Sequence, residues 1–156
     1  MGFKDFLKNV TTQADEIRKK YAPKMLSPEK RYARGIVSVC ALLAMADGEL
    51  EESEVEAASQ FLMGVNEIQQ YFGESDALEL FSQLVNDLQT ESTKGRAFSK
   101  MQINKMIAEL KETVTRQDWR SNIMLIAKEM AGANHAGKPG AHEQNIISQL
   151  EAAIGA

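Results

Sequence analysis

The chain has 156 residues, 44% hydrophobic and 26% charged, with apolar and polar residues interleaved throughout; this fits one globular domain and leaves no window for a membrane span or a secretion signal. A single cysteine, Cys40, excludes an intramolecular disulfide, a Cys-x-x-Cys redox pair and a thiolate zinc cluster. The net charge of -4 is unevenly spread: residues 1–35 hold nine Lys or Arg against four acids, and the remainder holds nine against eighteen. The acidic body is expected to repel nucleic acid, and only the basic beginning suits an anionic surface such as phospholipid. A cytoplasmic protein is expected.

The first helix is expected from Phe3 to Tyr21, where Phe3, Phe6, Leu7, Val10, Ala14, Ile17 and Tyr21 form one stripe before Pro23. Its apolar Phe3, Phe6, Leu7 and Val10 are flanked by Lys4 and Lys8, which makes it a candidate docking element for an anionic membrane or an apolar partner groove. Residues 1–26 are therefore set apart as a basic amphipathic helix and linker, with the helical domain over 27–156. Ser27, Pro28 and Glu29 have the residue types of a helix start, and the helix they open carries Tyr32, Ile36, Val39, Cys40 and Leu43 to a stop at Asp47 and Gly48.

Further amphipathic runs follow at Val55 to Val65, from a Ser75 cap to Leu88, and from Phe98 through Met101, Met106 and Ile107 to Leu110, with Glu91, Ser92 and Thr93 separating the last two. A short helical piece is expected around Ile68 to Phe72 and a break near Thr115. Trp119 to Met130 and Ile146 to Ile154 supply the last two helices, on either side of a long loop from Gly132 to Gly140. No stretch alternates in the manner of a strand, so an all-α domain of seven or eight helices is expected, needing no cofactor to fold.

Two segments align as a repeat. Ile36, Val39, Cys40, Leu43 and Ala44 match Ile123, Ile126, Ala127, Met130 and Ala131; Asp47 matches Asn134, and Glu54 matches Glu143 after two extra loop residues. The run from Cys40 to Glu54, with Ala46, Asp47 and Gly48 at its centre, an apolar Leu50 and Glu54 opening the next helix, resembles the signature of the TerB family, the tellurite-resistance proteins and related stress-response domains. The resemblance implies an all-helical cytoplasmic domain of two pseudo-symmetric halves and no known catalytic activity. It also implies acidic turns that take a divalent cation, and association with a membrane protein of the tellurite-resistance system. The second half departs from the signature, carrying Ala133, Asn134 and His135 in place of Ala-Asp-Gly.

Six of the ten residues from Asp47 to Glu56 are acidic and none is basic. Such carboxylates either relieve their repulsion with a cation or serve the following helix as dipole complement and capping pair, Glu51 with Glu54. The candidate ligands are Asp47, Glu49, Glu51 and Glu54, an all-oxygen set that suits calcium over zinc, with Asn134 and Glu143 as a weaker second site. The run is not an EF-hand, because glycine is missing at the sixth position of the loop and Ala58 stands at the twelfth. His135 and His142, seven apart across a Pro-Gly turn, read as solvated loop residues. Cys40 reads as a core thiol, and no phosphate loop or nucleophile elbow is present. The reading is a non-catalytic adaptor or sensor; the alternative is a metal-assisted hydrolase using Asp47 and Glu54.

Overall fold

The computed structural model describes residues 14–134 and 140–155, with the side chains of Ala14, Ala133 and Asn134 outside the description. Among these residues there are eight α-helices and no strand, as the periodicity implies. In chain order they are α1 (Ala14–Lys20), a 3-10 turn (Pro23–Met25), α2 (Pro28–Ala44), α3 (Glu52–Met63), α4 (Asn66–Tyr71), α5 (Glu74–Lys94), α6 (Arg96–Thr113), α7 (Gln117–Asn134) and α8 (Ala141–Ile154).

The start of α2 follows from its sequence: Ser27 Oγ accepts from the Lys30 amide at 3.3 Å, and Pro28 occupies the first helical position. From Tyr32 onward the helix carries one charged residue, Arg34, and it is buried on every side, including Val37, Ser38, Ala41 and Leu42 outside the expected stripe. A helix apolar all round belongs in the middle of a fold. Accordingly α2 packs against α3, α4, α5, α6, α7 and α8. Gly35 lets two of them come close, since a Cβ there would lie 2.7 Å from Leu110 Cδ1 of α6 and 3.3 Å from Ile123 Cδ1 of α7.

The repeat is visible in the packing. α2 with α3 and α7 with α8 form two helix pairs, and Ile36, Cys40, Leu43 and Ala44 are buried together with their counterparts Ile123, Ala127, Met130 and Ala131. In the second helix of each pair, Ala58 and Ile147 occupy the buried face.

Several boundaries differ from expectation. α2 ends at Ala44, three residues before Asp47, because the chain tightens into turns closed by Ala46 N to Leu43 O and Gly48 N to Met45 O. α5 starts after Gly73, at φ 96°, with Ser75 inside the helix and not at its cap. It then runs through Glu91, Ser92 and Thr93 to Lys94, because helix tolerates those residues and the break falls at Gly95, whose φ of 131° suits glycine alone. α7 continues through Gly132 to Asn134, so the long loop begins later than its glycines suggest. In α6 Met106, Ile107 and Leu110 are buried and Ile103 packs against the core, while Phe98 and Met101 are 46% and 66% exposed; the apolar stripe is continuous in sequence, but its first residues are not covered by the described neighbours.

Residues Phe3, Lys4, Phe6, Leu7, Lys8 and Val10 lie outside the described residues. The described end of the N-terminal segment packs on α5, with Ile17 and Tyr21 in the common core. Its cations meet the acids of α5: Arg18 pairs with Asp87 at 2.6 Å, and Lys20 lies 3.6 Å from Asp76 and 3.5 Å from Glu79. The Tyr21 hydroxyl is within 2.9 Å of Asp76 and 2.8 Å of Glu79, and burial together with these carboxylates raises its pKa. Arg34 donates to the Tyr21 carbonyl at 2.8 Å and pairs with Glu109 of α6, which fastens the exit of α1 to the body.

Filling the space at Gly35 tests how rigidly the helices hold α2. Gly35→Val is expected to lower the unfolding free energy by about 1–3 kcal/mol in denaturant titrations, the usual range for overpacking. Gly35→Ala should cost less, because about 1 kcal/mol of gained helix propensity offsets its contact with Leu110. An unchanged Gly35→Val would mean that α6 and α7 move off α2 freely.

Candidate metal centre

The turn after α2 reverses the chain through Gly48, whose φ of 80° suits glycine. Asp47 Oδ1 accepts from the Glu49 amide at 3.0 Å, and the Gly48 carbonyl accepts from the Ser92 hydroxyl of α5. A local turn and one long-range bond thus hold Asp47 over the start of α3. Leu50 and Val55 anchor the other side of that start, Leu50 packed against the core and Val55 wholly buried, in keeping with their staple spacing.

This arrangement brings three carboxylates together. One oxygen each from Asp47, Glu51 and Glu54 lies within 4.8 Å of the others, with Asp47 and Glu51 exposed and Glu54 half-buried. Glu49, also a candidate ligand, does not join the group; it follows Gly48 in the turn and is exposed. Glu51 stands at the N-cap of α3, yet its side chain makes no capping hydrogen bond, so that half of the expected capping pair is not formed. The positive end of α3 nevertheless favours the carboxylates gathered there. Three converging oxygen donors, with room for water at the exposed side, fit a hard cation such as calcium and offer nothing to a thiophilic metal.

The second turn is different. Glu143 is 6% exposed and sits inside the first turn of α8, and among the described residues it joins no group of three acids or histidines; the Asn134 side chain and His135 lie outside the description. His142 is described and exposed, on the rim of a cleft of about 830 Å³ that also reaches Asp47 and Gly48. Cys40 is fully buried in α2, and burial pushes its thiol up to about 12, which makes it a core residue and not a nucleophile. Trp119 is half-buried, stacked on Tyr32 at 4.9 Å and covered by the Arg116 guanidinium at 4.1 Å, so its ring is engaged within the chain.

Ser92 escaped the sequence reading. It lies 44 residues from Gly48 in a stretch that reads as a separator, and no local pattern connects a hydroxyl in one helix with a carbonyl in a distant turn.

The all-helical fold with paired helix-turn-helix halves and an acidic first turn defines the class of protein. The family model described as "Tellurite resistance protein TerB" matches residues 33–156, and the chain belongs to the TerB family. No curated protein and no solved structure matched it. The family description names no reaction, and nothing in the match supports the hydrolase alternative. Among the described residues no helix is long and apolar enough to cross a membrane.

Two outcomes check the site's supports. Ser92→Ala is expected to destabilise the fold by about 0.5–1.5 kcal/mol, the net worth of one hydrogen bond, as read by chemical denaturation; no loss would show that the turn stands without α5. Cys40 should resist iodoacetamide at pH 8 in the native chain and react readily in denaturant; equal labelling rates by mass spectrometry would contradict its burial.

Proposed function

We propose that this protein is a non-catalytic adaptor or sensor of the tellurite-resistance and stress response that binds a divalent cation, calcium by its ligand chemistry, at the turn between α2 and α3. The observation that carries the reading is the convergence of Asp47, Glu51 and Glu54 oxygens within 4.8 Å. At that spacing like charges repel, and a cation between them removes the repulsion only when the chain is folded. Binding would therefore tighten the junction of α2 and α3. Because α2 touches six other helices, the effect of the ion would reach the rest of the domain. The ion state would then be read by a membrane protein of the tellurite-resistance system or another stress-response protein, with the protein itself at most peripheral on the membrane. The family's tellurite-resistance description supports the setting. The acids come from one contiguous turn, an arrangement suited to binding and poor in the separated groups that hydrolysis needs.

Calcium titration of the melting temperature tests the cation. The wild type should gain about 2.7 kcal/mol of stability when free calcium reaches roughly 100 times its dissociation constant. Asp47→Asn should flatten the response, and Glu143→Gln should leave it nearly unchanged. A wild type indifferent to millimolar calcium and magnesium would reduce the cluster to ordinary helix-start charges. Turnover of a phosphoester or peptide that Asp47→Ala abolishes would overturn the non-catalytic reading.

A further inference from the structure

α6 packs on α8, and the first turns of both helices line the cleft of about 830 Å³ beside the acidic turn. That volume is in the range of small-molecule sites, about 300–1,000 Å³. Its chemistry is the opposite of the protein's net charge. Arg96 and Lys100 stand one turn apart on α6, both exposed, and among the described residues neither forms an ion pair. His142 lines the same cleft from α8, and among the described residues Asp47 is the one carboxylate in the lining. Other cations show the contrast, since Arg18, Lys20 and Arg34 are each matched to an acid.

The backbone adds to this field. Both helices open after a glycine, Gly95 and Gly140, so no N-cap side chain satisfies their first amides; α6 has no acid in its first turn, whereas α8 carries Glu143 there. Two unmatched cations and the acid-free start of α6 on one cavity favour an anion of more than one charge. Ala97, Ile103 and Ile146 give the lining apolar surface, which leaves space for an organic body beside the charged group.

We propose that this cleft binds a small phosphate monoester, with Arg96 and Lys100 holding the phosphate and Ala97, Ile103 and Ile146 receiving the organic part. Guanidinium matches phosphate oxygens in a two-pronged geometry and ammonium adds a point charge, while the apolar surface separates an ester from inorganic phosphate. The site does not depend on an ion at the acidic turn, since both of its cations, Arg96 and Lys100, come from α6.

The test is an amide NMR titration of the full chain in EDTA with phenyl phosphate, inorganic phosphate and phenol. Phenyl phosphate should shift amides of residues 96–104 and 142–149 saturably, and bind at least about tenfold more tightly than either inorganic phosphate or phenol alone. Arg96→Gln combined with Lys100→Gln should weaken it by about tenfold or more with the melting temperature preserved, because both side chains are exposed. Lys105→Gln, a cation on the same helix outside the cleft lining, should leave it unchanged. Absence of saturable shifts, shifts centred elsewhere, equal affinity for inorganic phosphate, or full binding by the double variant would overturn the proposal.

Discussion

The burial of α2 on all sides is the constraint on which the other helices depend. A helix surrounded by neighbours must be small or apolar wherever they approach, and the run from Val37 to Met45 meets that demand with Val, Ser, Cys, Ala, Leu and Met. Gly35 meets it most sharply, by letting α6 and α7 come close at one level of the helix. The acidic turn is the direct continuation of α2, so the position of Asp47 is set by a helix that packs against six others. A site built at the end of a fully packed helix loses little conformational freedom when it binds.

Electrostatics divide the surface into regions of different use. Acids of α5 pair with Arg18 and Lys20, and Glu109 of α6 pairs with Arg34, so the basic surplus seen in the first thirty-five residues is partly spent inside the chain. Among the described residues Arg96 and Lys100 are matched to no acid. The acidic cluster and these two cations therefore lie on either side of Asp47, which belongs to the cluster and also lines the cleft. A cation on one side and an anion on the other would each lower the field that opposes the other. That juxtaposition gives the proposed cation reading a physical route to a second ligand.

Helix periodicity revealed the number and type of elements because it depends on residues three and four apart, and those lie in one short window. The start of α2 at Ser27 and Pro28 was legible for the same reason. The end of α5 was not: Glu91, Ser92 and Thr93 look like an interruption, but the side chain of Ser92 is used by a distant turn, and Gly95 sets the end. Phe98 and Met101 were misplaced because apolar spacing reports which residues share a face and not how far along the helix a neighbour extends.

The sequence by itself determined the all-helical class, the two related halves, the family signature and the acidic turn with its glycine. Each is carried by residues close together in the chain, where local spacing fixes the relation of side chains. Tertiary structure alone decided that Asp47, Glu51 and Glu54 converge without Glu49, that α5 acids pair with Arg18 and Lys20, and that the starts of α6 and α8 meet in one cleft. These depend on distances between segments brought together by packing around α2, and no pattern within one segment encodes them.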